Sequence, residues 1–295
     1  MTYVGRFAPT PSGPLHFGSL IAATASFLDA KSNQGLWLVR IDDVDTPRVV
    51  TASISQILHQ LDAFGFEWDR DVLYQSQSQS QSQSRYVQAL DQLIQQQHAF
   101  CCDCTRKQIF ARNPDGLYDG YCRDRGLTPS DQYAVRFKVP NDVMSLTDLI
   151  QGDRSINPSK DLGDFVLKRR DGYMGYHLAC AVDDLAQGVT HVIRGSDLLQ
   201  SCFAQTLICQ ALADKSLKYG HHPVAVTPQQ IKYSKSAHSP AIDTNQAVMQ
   251  IWQVLDFLNQ SPPLELKYAS LNEIWRWAIT HWDLHKVPAK GMIEV

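Results

Sequence analysis

Residues Tyr3–Ser19 read YVGRFAPTPSGPLHFGS, and this stretch decides the fold. A short apolar run, Tyr3 to Ala8, ends in Pro9-Thr10-Pro11-Ser12-Gly13, which predicts a strand running into a turn. Beyond the turn, Leu20, Ile21, Ala23, Phe27 and Leu28 recur at helical spacing and stop at Asn33-Gln34-Gly35. Leu36 to Ile41 predicts a second strand, and Ile54, Ile57, Leu58 and Leu61 a second amphipathic helix. Strand, helix, strand, helix opens a βαβ unit, so the fold class is α/β with a parallel sheet. Ligands in such sheets bind at the carboxyl ends of the strands, which makes Pro9–Gly13 and Asp42–Pro47 the candidate rim.

Outward from this unit the pattern changes. Gln75 to Ser84 is a run of Gln-Ser dipeptides with no apolar face, expected as an exposed loop or the frayed start of the helix carrying Tyr86, Val87, Leu90, Leu93 and Ile94. Residues 100–165 are rich in Cys, Gly, Asp and Arg with one clear strand at Tyr133–Val139, and read as an inserted module. The sheet is expected to resume at Asp164–Lys168 and Val189–Arg194, followed by a long helix carrying Leu198, Leu199, Phe203, Leu207 and Ile208. From His221 on, loops lead to helices at Val248–Leu258 and Leu271–Trp282. The expected division is a catalytic unit over 1–220 and a small helical subdomain over 221–295.

Bulk properties narrow the function. The 295 residues are 44% apolar and 19% charged, the composition of an ordinary globular protein. No apolar run approaches the ~20 residues that cross a bilayer, and the N-terminus resembles neither a signal nor a transit peptide. Seven cysteines, three crowded at Cys101, Cys102 and Cys104, suit reduced thiols or a metal better than a disulfide framework, so a cytoplasmic, monomeric protein is expected. A net charge of −3 does not announce nucleic-acid binding; on charge alone, Lys168-Arg169-Arg170 and Arg123/Arg125 read as solvated faces.

Two segments carry phosphate chemistry. A Pro/Ser/Gly turn between strand and helix offers free N–H groups and a positive helix end. Gly13 and Gly18 leave room for a nucleotide, and His16 can donate to a phosphate oxygen. Far along the chain, Lys232-Tyr233-Ser234-Lys235-Ser236 sets two lysines around a small hydroxyl residue in a loop between Pro228 and Pro240. Fixed cations there would stabilise charge building on a departing pyrophosphate.

Together, in this order, the two segments resemble the HIGH and KMSKS signatures of class I aminoacyl-tRNA synthetases. Arg6–Ser19 resembles the opening of the glutamyl branch, Leu38–Asp45 its next strand end, and Val192–Asp197 a third block. With only about 60 residues after the second signature, too few for an anticodon-reading domain of typical size, the chain resembles the truncated paralogues that act on queuosine in tRNA(Asp). The resemblance implies a Rossmann-type catalytic domain with an insert that binds one structural Zn²⁺, and a short helical region contacting the RNA. It implies activation of L-glutamate with ATP and Mg²⁺, then transfer to the queuosine of tRNA(Asp).

The same resemblance implies catalytic roles for His16, Lys232 and Lys235 and an ATP site of Pro9, Gly13, His16, Gly18, Ser19, Lys232, Ser234 and Lys235. The glutamate pocket it implies comprises Arg6, Phe7, Ala8, Pro9, Thr10, Asp42, Tyr176 and Arg194. Asp42 stands where the family usually has Glu, one methylene longer, so Asp43 is an alternative; which arginine takes which carboxylate is open. Cys102, Cys104, Tyr118 and Cys122 match the family's zinc site, with Cys101, Asp103 and His98 as rivals for the fourth position. Cys180, Cys202 and Cys209 lie in apolar runs and are expected in the core. Alternatives are a charger of a tRNA 3′ end and an inactive RNA-binding paralogue.

Overall fold

Strand β1 (Val4–Phe7) is buried along its whole length and feeds helix α1 (Phe17–Ser32) through the Pro9–Gly13 turn. The structure, a computed structural model, describes residues 2–44, 49–76, 82–233 and 239–295. His16 caps α1, its Nδ1 accepting from Ser19 N at 3.2 Å, and the first turn holds no acidic residue, so the positive helix end stays uncompensated. Leu20, Ile21 and every residue from Ala23 to Ala30 are buried, because α1 packs between the sheet and the C-terminal helices. Strand β2 (Leu36–Ile41), helix α2 (Thr51–Ala63) and strand β3 (Leu73–Tyr74) complete a parallel sheet in the order β1–β2–β3, with Val4 opposite Leu36.

After helix α3 (Ser82–Gln95) comes the insert. It contains β4 (Ala99–Cys102), α4 (Arg106–Arg112), β5 (Ala134–Phe137), the hairpin β6 (Met144–Asp148) and β7 (Gly152–Ile156), α5 (Pro158–Asp161) and β8 (Val166–Lys168). Here the structure corrects one expectation. Asp164–Lys168 does not resume the parallel sheet: β8 pairs antiparallel with β5, in a sheet ordered β4–β5–β8, and Lys168 bridges Met174. A three-residue strand carries no sequence record of its partner.

The parallel pattern returns through α6 (Tyr176–Gln187), β9 (His191–Gly195), α7 (Leu199–Ala213) and β10 (Lys218–His222). Thr190 N donates to Val4 O at 2.9 Å, so β9 begins alongside β1. The region expected as loop after His221 instead holds β11 (Val224–Val226), paired in parallel with β12 (Met292–Glu294) near the end of the chain. Between them lie α8 (Ala247–Phe257) and α9 (Leu271–His281), the latter opened by a Ser270/Glu273 capping box.

Aromatic packing joins the two ends. Phe27 meets Trp37 and Trp275 edge-on at 5.2 and 5.0 Å, the preferred geometry for ring quadrupoles. The buried Trp275 Nε1 donates to Phe64 O at 2.9 Å and the half-buried Trp282 Nε1 to Asp29 Oδ1 at 3.0 Å, so neither indole is left unpaired.

Candidate active site and metal centre

At the carboxyl ends of β1, β2 and β9 opens a cavity of about 620 Å³. Arg6, Phe7, Ala8, Pro9, Thr10, His16, Gly18, Ser19, Asp42, Tyr176, Arg194 and Lys232 all line it, although they come from distant parts of the sequence. Gly13 is not in the lining; it holds the turn at a φ of 152°. Ser234 and Lys235 lie outside the described residues.

The near flank of the second signature pairs with β11, and the far flank docks on the first signature. Val226 bridges Lys232, and Tyr233 N donates to Ala225 O at 3.0 Å; on the far side Ala241 bridges His16 and Ile242 N donates to Leu15 O at 2.9 Å. Gly18, expected to leave room for a nucleotide, lines the cavity and also leaves room for Tyr233: a Cβ there would sit 2.9 Å from Tyr233 O. Lys232 Nζ rests on Asp197 Oδ2 at 2.6 Å.

The floor of the cavity is a buried charge network. Asp184 accepts from Arg6 Nε at 3.2 Å and Arg40 Nη1 at 2.6 Å, while Asp42 accepts from Arg40 Nε at 2.6 Å. Burial alone would raise the Asp184 carboxyl; Arg6 and Arg40 outweigh it and hold it below the usual carboxylate range. Asp43, the alternative to Asp42, turns away and accepts from Ser76 N at 2.7 Å.

Arg194 is built differently. It is 5% exposed, and its donors go to neutral acceptors: His221 Nε2 at 3.0 Å, Gln205 Oε1 at 2.8 Å and Leu198 O at 3.2 Å. Because arginine only donates, His221 Nε2 must accept, which sends the His221 Nδ1 proton to Asp148 Oδ2, 2.5 Å away. Burial pushes His221 below the ordinary histidine value, so the imidazole is neutral. Among the described residues no carboxylate lies within ion-pair distance of Arg194. The Tyr219 ring lies 5.3 Å from its guanidinium, and the residue lines the cavity.

Sequence reasoning missed Arg40, Asp184, Asp197, His221 and His222. His222 also lines the cavity, with burial lowering it to about 4, and its Nε2 has no hydrogen-bond partner among the described residues. The adjacent acids Asp183-Asp184 inside an otherwise apolar helix were the available signal.

In the insert, the sulfurs of Cys102, Cys104 and Cys122 lie within 4.8 Å of one another, all buried. Tyr118 Oη lies 3.3 Å from Cys102 Sγ and 3.8 Å from Cys104 Sγ. Each sulfur accepts from a different arginine: Arg136 to Cys102 at 3.3 Å, Arg112 to Cys104 at 3.3 Å and Arg125 to Cys122 at 3.4 Å. At Cys102 burial works against ionisation, but hydrogen bonds from Tyr118 and Arg136 leave the thiol below its ordinary value. Of the rivals, Cys101 packs into a separate core with Leu90 and Val135, and Asp103 touches only the Cys122 edge while paired to Arg125. His98 stacks on Phe137. The expected core cysteines, Cys180, Cys202 and Cys209, are buried.

The family model for class I tRNA synthetases (E and Q), catalytic domain, matches residues 3–255. A glutamyl-Q tRNA(Asp) synthetase of Idiomarina loihiensis is 46% identical, over 95% of this chain and 96% of that protein. One of Neisseria meningitidis is 43% identical over 97% of each. A glutamate–tRNA synthetase structure from Elizabethkingia anophelis superposes with a TM-score of 0.82 at 26% identity, covering 100% of this chain and 68% of that one. The chain therefore belongs to the glutamate- and glutamine-type class I tRNA synthetases, in their glutamyl-Q tRNA(Asp) synthetase family of ligases.

Proposed function

We propose that the protein activates L-glutamate with ATP and transfers it to the queuosine of tRNA(Asp). The observation that carries this reading is Arg194, a buried cation without an anionic partner among the described residues, in a cavity that also collects both signature segments. A desolvated guanidinium is costly unless an anion completes it, and a substrate carboxylate does so bidentately. Arg6 already shares Asp184, so it orients the second carboxylate with less net charge; Asp42 takes the ammonium, and Phe7, Ala8, Pro9, Thr10 and Tyr176 complete the pocket.

The α-carboxylate attacks the ATP α-phosphate, and glutamyl-adenylate forms as pyrophosphate leaves. Pro9, Gly18, Ser19 and Ser234 frame the ATP, with Gly13 shaping the turn behind them, and the nucleotide brings Mg²⁺ on its phosphates. His16, Lys232 and Lys235 stabilise the charge that develops on the pyrophosphate. Lys232 exchanges Asp197 for that charge when ATP binds.

Cys102, Cys104, Cys122 and Tyr118 would hold one Zn²⁺, since three soft thiols and a phenol oxygen suit a four-coordinate structural site. When bound, the metal supplies a cross-link between the ends of the cysteine-bearing loop. Residues 1–220 form the catalytic unit, with the insert at 100–165, and 221–295 the second-signature and helical subdomain.

The test measures glutamate-dependent ATP–pyrophosphate exchange, then transfer of labelled glutamate to tRNA(Asp) with and without queuosine. Exchange and queuosine-dependent transfer are expected. Transfer to an unmodified tRNA 3′ end, or no exchange, would overturn the reading.

A further inference from the structure

A second cavity, of about 230 Å³, lies beyond Thr10, Asp42 and Tyr176, which line both it and the larger cavity. Gln75, Arg169 and Tyr173 help form its other side. Arg169 and Tyr173 stand on the turn that joins β8 to α6. Arg169 N donates to Tyr173 O at 2.8 Å, and Gly172 N to Arg169 O at 3.1 Å. Gly172 closes the turn at a φ of 89°, a conformation that other residues rarely adopt. The Arg169 guanidinium lies 5.7 Å from the Tyr173 ring centroid and pairs with Asp171. The turn thus carries a flat ring and a planar cation side by side.

The neighbouring Arg170 donates to Asp103 O at 2.5 Å, the carbonyl between Cys102 and Cys104. The turn is hung from the thiol cluster. The basic triplet Lys168-Arg169-Arg170, which charge alone reads as a solvated face, is therefore a positioned element that the glutamate and ATP cavity does not use.

We propose that this second cavity is the acceptor subsite, taking the planar base of an unpaired RNA nucleotide against Tyr173 and Arg169. The proposal rests on the glutamate-transfer reading and gives its second substrate a place. Proteins hold unpaired RNA bases by stacking on aromatic rings and arginine planes, which is the chemistry that this turn presents. A base that bears its own ring hydroxyl, as queuosine does, directs that hydroxyl across the shared wall of Thr10, Asp42 and Tyr176. The hydroxyl oxygen attacks the carbonyl carbon of the glutamyl-adenylate. The ester C–O bond forms as the carbonyl-to-AMP bond breaks, AMP leaves with the electron pair, and the hydroxyl proton passes to its phosphate.

Tyr173→Ala and Arg169→Ala separate the two half-reactions. Pyrophosphate exchange and transfer at sub-saturating queuosine-bearing tRNA(Asp) are measured on the same preparations, and their ratio is the readout. Loss of one stacking partner should lower transfer about tenfold more than exchange. Tyr173→Phe, which keeps the ring face, should restore the ratio. If transfer falls no more than exchange in both alanine variants, the acceptor subsite is overturned while the transfer reading stands. If the unaltered protein exchanges pyrophosphate but does not glutamylate the queuosine RNA, the reading beneath fails and the proposal falls with it.

Discussion

At the strand-end cavity Arg6 and Arg40 share the carboxylates of Asp42 and Asp184, whereas at the thiol cluster Arg112, Arg125 and Arg136 each meet one sulfur. The first arrangement is complete as a set of side chains: two cations, two anions, all buried. The second brings three buried sulfurs within 4.8 Å of one another. Within the four-residue network of the first region, Arg194 apart, protein groups alone balance the charge, by long-range pairing between β1, β2 and α6. The second is a cluster that could hold a metal ion, and each of its sulfurs accepts from its own arginine.

The sharpest way to break this comparison is to remove an anion from the complete set. Asp184→Asn leaves Arg6 and Arg40 short of a buried partner and should cost about 3–5 kcal/mol of global stability, read from the urea midpoint. A loss below about 1 kcal/mol would mean that the network does not support the fold.

Acid attacks the same region by another route. Burial lowers His177, beside Tyr176, and His222, in the cavity, from 6.5 to about 4. Between those values the unfolded chain binds protons that the folded chain refuses, so stability is complete above pH 6.5 and falls as the pH drops toward 4. At pH 5.5 the loss should be about 1.4 kcal/mol for each histidine. Melting of the wild type and of a His222→Gln variant at pH 7.5 and 5.5 checks the sign; a wild type that is more stable at the lower pH contradicts it.

The smallest global effect is expected from the insert. Chelation, or Cys122→Ser, should release one zinc by metal analysis and raise hydrogen exchange across residues 99–128. The main unfolding midpoint should move by less than about 1 kcal/mol, as for a local cooperative unit. A collapse of the whole protein on chelation would erase the distinction between the two regions.

The legible parts of the molecule are those whose signal is local. The Pro9–Gly13 turn, the helical spacing after His16 and the close cysteines can be read because each lies within a few residues of its own explanation. Arg40 pairs with Asp184 across 144 positions, and nothing near either residue announces the other. His221 and His222 read as a polar loop but form a buried strand, where His221 finds its partners Arg194 and Asp148 far along the chain. Gly18 also makes room for Tyr233, more than two hundred residues downstream, a contact that nothing beside Gly18 announces. The Asp183-Asp184 pair, conspicuous in its apolar helix, was the one distant feature that composition could have exposed.

The indole of Trp282 reaches back to Asp29 across 253 residues of chain. During synthesis at about 5–20 residues per second, some 13–50 s separate the emergence of these two partners. For that interval α1, whose first turn borders the strand-end cavity, lacks its last brace, with Phe27 still missing Trp275. In the nascent protein α1 should therefore stay loosely held until α9 and Trp282 have cleared the ribosome.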